Sequence, residues 1–164
     1  MTLKKSSKTA RDGAEPSTPP GAVWEDGLRC VVFTVGELTC AVEIEAIQEI
    51  NRGVSITPVH RAPESIKGVI NLRGDIVTVI DMMARMEQEP IEVGPETPLL
   101  IVNMKGEHYG LIADTVDDIL FAPGHSLEAP PPNMRGVAGK YFSRIFKMDG
   151  KLAGILDLDK ILDI

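Results

Sequence analysis

The stretch IKGVINLRGDIVTVID, residues 66–81, holds two short runs of aliphatic and β-branched residues joined by Arg73, Gly74 and Asp75. Runs of this length, bounded by glycine and aspartate, are typical of two strands and a tight turn. Gly68 lies inside the first run, where a glycine indicates a bulge or a close approach of another backbone segment. Arg73 holds a permanent charge at the tip of this apolar hairpin, so it needs either water or a carboxylate partner.

The second half of the chain repeats the first. The aligned segments are 40–50 with 109–119, 66–69 with 134–137, and 74–81 with 150–157, at shifts of 69, 68 and 76 positions. Each copy is predicted to contain a hairpin, a bent strand, a loop, a second hairpin and a capped turn. About five short strands per copy, with frequent glycine and proline turns, predict two small antiparallel barrels that share an apolar seam.

The composition limits the class of protein. Hydrophobic residues make up 43% of the 164 residues but aromatic residues only 4%, so the core must be aliphatic. A net charge of −7, with no block of lysine and arginine in the folded part, argues against a nucleic-acid surface. No apolar run approaches the length of about 20 residues that a membrane-spanning helix needs. Two cysteines, Cys30 and Cys40, are too few for the disulfide framework of a secreted protein, so we predict a cytoplasmic protein. We expect both to be reduced and to be buried as small hydrophobic side chains.

The chain divides into a tail and a folded unit. Residues 1–25 are rich in lysine, serine, threonine and proline, and we predict that they are disordered. Residues 26–164 form the folded unit, with a first lobe at about 28–88, a second at about 97–164 and the acidic connector 87–98 between them. The segment 122–144, with four prolines, is longer than its counterpart in the first copy.

No catalytic or metal site is predicted. Asp81 and Asp157 are equivalent in the repeat, and two symmetric carboxylates can do acid–base chemistry in a small β-barrel hydrolase. Each also stands where a helical turn begins after a hairpin, and capping of that turn explains the pair without chemistry. The three histidines lack the spacing of metal ligands, and no phosphate-binding loop or nucleophile elbow is present. We therefore expect no enzyme, no metal and no cofactor.

Four blocks of the sequence resemble those of the CheW-like domain, the adaptor of bacterial chemosensory arrays. They are CAVEIEAIQEI (40–50), IKGVINLRGDIVTVIDMMARM (66–86), HYGLIADTVDDIL (108–120) and GKLAGILDLDKIL (150–162), in the same order and spacing as in the family. The resemblance covers about residues 28–164. It implies an all-β fold of two intertwined five-stranded SH3-like antiparallel barrels with short helical turns.

The resemblance also implies partners. The chain would bridge the cytoplasmic helical hairpin of a chemoreceptor to the regulatory domain of a CheA-like histidine autokinase, as a monomer that joins membrane-associated arrays without inserting into the membrane. Eight residues match family positions tied to partner binding: Ile44, Ile47, Glu49, Gly68, Asn71, Leu72, Arg73 and Gly110. If the first barrel closes as expected, Glu49 and Arg73 form an ion pair, which either satisfies two half-buried charges or orders the edge of a partner groove. An adaptor of a non-flagellar chemosensory pathway and a plain structural dimer are the other possibilities.

Overall fold

The computed structural model describes residues 26–163, and most of its regular structure is strand. The predicted disordered tail, 1–25, lies outside the described residues, so its disorder stays a prediction. The twelve strands are β1 Gly27–Val35, β2 Leu38–Glu43, β3 Ile47–Asn51, β4 Ile66–Leu72, β5 Asp75–Ile80, β6 Leu99–Met104, β7 Glu107–Ile112, β8 Thr115–Pro123, β9 Asn133–Met134, β10 Val137–Ala138, β11 Phe142–Met148 and β12 Lys151–Leu156. Two short helices follow hairpins, α1 Met82–Arg85 and α2 Leu158–Ile161, and single 3-10 turns occupy Ile44–Ala46, Gly124–Ser126 and Gly139–Tyr141.

Ten of these strands form two five-stranded sheets, as predicted. Sheet A has the order β11-β12-β2-β1-β8, and sheet B has the order β3-β6-β7-β5-β4. The remaining two strands, β9 and β10, form a separate two-stranded ribbon within the 122–144 segment. Most neighbouring strands are antiparallel, but β5 pairs with β7 and β12 pairs with β2 in parallel, which the prediction of purely antiparallel barrels missed.

Each sheet takes strands from both copies of the repeat, so neither sheet coincides with one of the predicted lobes, 28–88 and 97–164. Sheet A combines the first hairpin of the first copy (β1, β2) with three strands of the second (β8, β11, β12). Sheet B combines the last three strands of the first copy (β3, β4, β5) with the first hairpin of the second (β6, β7). The connector 87–98 therefore links β5 to β6 within sheet B, and does not separate two lobes.

The repeat itself is confirmed in detail. The bulge of β4 between Ile66 and Gly68 has its equivalent in β11 between Phe142 and Arg144, 76 positions later. A backbone bridge crosses each bulged strand, from Thr57 to Val69 in sheet B and from Glu128 to Ile145 in sheet A. The predicted alignment of 66–69 with 134–137 was wrong, because the equivalent of β4 is β11 and not the β9–β10 ribbon.

One buried apolar cluster joins the two sheets and forms the predicted shared seam. It contains Phe33 and Val42 of sheet A together with Leu100 and Leu111 of sheet B, all of them inaccessible to water or nearly so. A second cluster lies on the other face of β1 and β2, because successive residues of a strand point to opposite sides. Among residues 26–163, no helix is long and apolar enough to cross a bilayer.

The two cysteines lie on opposite faces of sheet A. Cys30 belongs to the second cluster and Cys40 to the shared one, and both are unpaired and fully buried. Burial raises the pKa of Cys40 to about 12, and burial followed by the nearby carboxylates of Glu43 and Glu45 raises the pKa of Cys30 to about 11. Both thiols therefore act as small hydrophobic side chains, as predicted.

Candidate partner-binding surface

Arg73 stands at the tip of the β4–β5 hairpin. Arg73 and Gly74 have φ angles of 52° and 91°, the left-handed conformation in which a two-residue turn matches the twist of its strands. The side chain of Asn71 fixes this turn, because its Oδ1 accepts a hydrogen bond of 2.9 Å from the backbone N–H of Gly74. The guanidinium is thus presented from a turn with a defined shape, and 71% of its side chain remains exposed.

The predicted ion pair between Glu49 and Arg73 is present. Both terminal nitrogens of Arg73 donate to the carboxylate of Glu49, one to Oε2 and the other to Oε1 at 3.0 Å. Glu49 lies on β3 and Arg73 follows β4, and these two strands are the opposite edges of sheet B. The pair therefore closes the gap between the two ends of the sheet with the planar, two-point geometry that arginine offers to a carboxylate.

The electrostatics of the pair are those of an accessible ion pair. The hydrogen bonds from Arg73 lower the pKa of Glu49, although partial desolvation opposes this shift, and the same contacts raise the pKa of Arg73. Exposed ion pairs contribute little to folding, because water and salt screen them. The pair is accordingly better suited to shaping a surface than to holding the fold together.

An apolar surface lies beside the pair. Ile44, Ile47 and Leu72 are half-buried and pack against the shared core from outside. Ile76, which faces Asn71 across the hairpin, is 66% exposed and was not predicted. Its signal was present in the sequence, because Val77 and Val79 alternate with it and point inward, which leaves an isoleucine on the outer face next to the Arg73 turn.

Two of the predicted partner-binding residues do not reach the surface. Gly68 is buried, with φ 154°, and a Cβ atom there would lie 2.2 Å from the carbonyl oxygen of Thr57, which crosses over β4. Gly110 is buried in β7 between Val79 and Ile101. Neither residue can contact a partner directly, so any effect of either on binding must act through the shape of sheet B.

The Arg73 turn is one of three turns built alike, which the sequence analysis missed. The pattern Asn-x-Arg/Lys-Gly occurs at 71–74, 103–106 and 133–136, and in each turn the asparagine Oδ1 accepts from the glycine N–H. Each turn has its basic residue at positive φ. Besides Arg73 with Glu49, the pairs are Lys105 with Asp159 and Arg135 with Glu37, both at 3.3 Å.

Asp81 and Asp157 cap helical turns, as the simpler interpretation of the pair predicted. The Oδ1 atom of Asp81 accepts from Ala84 N at 3.1 Å, and that of Asp157 accepts from Lys160 N at 3.3 Å. Asp81 has two further contacts: its Oδ2 accepts a hydrogen bond from Ile91 N at 2.8 Å and lies 3.6 Å from Lys67 Nζ. Because Ile91 belongs to the 87–98 connector, the first of these contacts attaches the connector to the hairpin. Over residues 26–163, no cluster of three or more histidine, cysteine or acidic side chains has a metal-binding arrangement.

The sequence and fold are similar to those of known adaptors. Chemotaxis protein CheW from Rhizobium meliloti is 29% identical over 136 residues, which cover 82% of this chain and 87% of the relative. Protein FrzA from Myxococcus xanthus is 30% identical over 133 residues, covering 79% and 82%. The crystal structure of the scaffolding protein TtCheW from Thermoanaerobacter tengcongensis superposes with a TM-score of 0.77 at 31% identity, over 85% of this chain and 94% of that one.

These similarities confirm the predicted fold of two intertwined SH3-like barrels, and they confirm that the chain is a scaffolding adaptor and not an enzyme. The profile of the CheW-like domain matches residues 29–164, which is nearly all of the described structure. The chain therefore belongs to the CheW-like domain family.

Proposed function

We propose that this chain couples the cytoplasmic helical hairpin of a chemoreceptor to the regulatory domain of a histidine autokinase, in the cytoplasm and within receptor arrays. The observation that carries the proposal is the exposed Glu49–Arg73 pair beside the half-buried Ile44, Ile47 and Leu72. An apolar stripe flanked by a cation and an anion suits an amphipathic helix or the edge of another small barrel. Binding requires no chemistry, and membership of a family of scaffolding adaptors supports this.

The test is a titration of the full chain against a receptor cytoplasmic fragment and, separately, a kinase regulatory domain. Arg73→Glu should weaken binding to at least one of them by tenfold or more, while thermal unfolding changes little because the pair is exposed. Lys105→Glu is the matched control, because it breaks a similar exposed pair at another turn, with Asp159. Failure of the wild-type chain to bind either protein would refute the proposal.

The charge-swapped double variant Glu49→Arg/Arg73→Glu separates two roles of the pair. It allows an internal ion pair to form again but reverses the polarity of the surface. If the partner contacts these charges, the double variant should bind as weakly as Arg73→Glu. If the pair only holds the edges of sheet B together, binding should return.

A second candidate is the same coupling role in a chemosensory pathway that does not drive flagella. The chain is 30% identical to FrzA of Myxococcus xanthus and 29% identical to CheW of Rhizobium meliloti. A relative that is not named as a chemotaxis protein is therefore as similar to this chain as one that is, and this favours the second candidate. Deletion of the gene in its host distinguishes the candidates. Loss of swimming chemotaxis supports the first, whereas intact swimming with altered surface motility or development supports the second.

A further inference from the structure

A cleft of about 610 Å³ opens at one end of sheet A, away from the Glu49–Arg73 pair. Its walls are the β1–β2 turn, the 131–135 segment and the beginning of β12. Leu38 and Met134, both buried, form its apolar floor, and the 42% exposed side chain of Leu152 stands at its side. The volume lies within the range of sites that hold a small ligand or a few side chains of a peptide.

The cleft has an excess of positive charge in a protein whose net charge is −7. Arg135 and Lys151 line it, and Glu37 is its acidic member. Arg135 Nη1 lies 3.3 Å from Glu37 Oε1, but the two side chains are 69% and 87% exposed. An ion pair so exposed contributes little and exchanges readily, so a carboxylate from another molecule can replace Glu37 on Arg135.

One wall of the cleft, the 131–135 segment, lies in the part of the second copy that is longer than its counterpart in the first. The shift that aligns the two copies increases from 69 positions at β2 and β7 to 76 at β5 and β12. The β9–β10 ribbon, which supplies Met134 and Arg135, lies within the interval where these seven residues are gained. The insertion therefore adds a wall to a surface that is distinct from the one around Arg73.

We propose that this cleft binds an acidic linear segment of a partner protein, in which an apolar side chain neighbours two carboxylates. One carboxylate takes the place of Glu37 on Arg135, and the second reaches Lys151. The apolar side chain packs on Leu152 above the floor formed by Leu38 and Met134.

The test uses the full chain, labelled with ¹⁵N, and two unlabelled probe peptides, Asp-Leu-Asp-Leu-Glu and Lys-Leu-Lys-Leu-Lys. The acidic peptide should shift the amide resonances of Gly36, Thr39 and Gly150, which line the cleft, and the basic peptide should leave them in place. Equal shifts with both peptides, or none with either, would overturn the proposal. Displacement of the acidic peptide by an equal concentration of inorganic phosphate would also overturn it, because the site would then be a general anion site.

Three variants sharpen the test. Arg135→Glu/Lys151→Glu should weaken binding of the acidic peptide at least tenfold, and Glu37→Ala should tighten it several-fold by removing the competing carboxylate. Arg61→Glu is the control, because Arg61 is also an exposed arginine at positive φ but does not line the cleft. If Arg61→Glu weakens binding of the acidic peptide as much as the double variant does, the loss comes from the change in net charge, and the cleft is not the binding site.

Discussion

Arg85 and Ile161 occupy equivalent positions in the two copies of the repeat, 76 residues apart, and they contact each other: Arg85 Nε donates to the Ile161 carbonyl oxygen at 3.0 Å. The same guanidinium donates to Lys160 O at 2.7 Å and Asp163 O at 2.8 Å, and it lies 5.4 Å from the centre of the Tyr141 ring. Arg85 therefore caps the carboxyl end of α2 from α1, while Ile161 is fully buried in the core. Two identical side chains could not serve both purposes.

Replacement of Arg85 should loosen the end of the chain. Arg85→Leu removes the donor for three carbonyl groups at the end of α2, and we expect a loss of about 1–3 kcal/mol in the free energy of unfolding, typical of hydrogen bonds to a charged group. Urea denaturation measures the loss, and amide hydrogen exchange of residues 158–163 should rise more than that of β7. Uniform exchange across the chain would contradict a local role for Arg85.

Local structure could be predicted from the sequence, because its determinants are adjacent residues. The hairpin at Gly74 and the cap at Asp81 need only the turn residues and the strands on each side. The exchange of hairpins between the copies could not be predicted, because equivalent strands have the same pattern of apolar residues. Such a pattern fits pairing within a copy as well as pairing between copies, and the choice depends on contacts far apart in the sequence.

The candidate site likewise contains features that could be predicted from the sequence and features that could not. The Glu49–Arg73 pair was predicted, because closure of the first barrel brings the strand of Glu49 next to the hairpin of Arg73. The three carbonyl groups held by Arg85 and the cleft at Arg135 depend on how the 122–144 segment and α2 pack against the first copy. No pattern of neighbouring residues encodes that packing.

Gly68 and Gly74 should respond very differently to alanine. At Gly68 a Cβ atom would lie 2.2 Å from Thr57 O, so Gly68→Ala must push the crossing segment off β4 and should cost about 2 kcal/mol or more. At Gly74 no atom lies within 4 Å of the added Cβ, so Gly74→Ala should cost only the left-handed backbone strain, about 1 kcal/mol. Chemical denaturation of the two variants compares these costs directly. Equal losses would mean that Thr57 moves aside freely.

Asp81 and Asp157 should differ in their contribution to stability, although they are equivalent in the repeat. Asp157→Ala removes a helix cap and should cost about 1 kcal/mol. Asp81→Ala also leaves Ile91 N–H and Lys67 without their buried partner, so its cost should exceed that of a cap by about 1–3 kcal/mol. Thermal unfolding of the two variants measures the difference. A similar loss of stability in both variants would show that the contacts of Asp81 with Ile91 and Lys67 contribute little to folding.

The Glu49–Arg73 pair should be visible in the titration of Glu49. Because the hydrogen bonds from Arg73 favour the ionised carboxylate, the pKa of Glu49 in the folded chain lies below its ordinary value. Whatever stability the pair contributes is therefore fully present above the pKa of an unfolded glutamate, and it is lost as the pH falls through the lowered pKa of the folded state. Carbon-detected NMR of the side-chain carboxyl should show Glu49 titrating below the ordinary range of a glutamate. In Arg73→Ala the titration of Glu49 should move up toward the ordinary range of a glutamate, because the hydrogen bonds that lower its pKa are gone. A Glu49 titration that is unchanged in this variant would mean that Arg73 does not hold the carboxylate in solution.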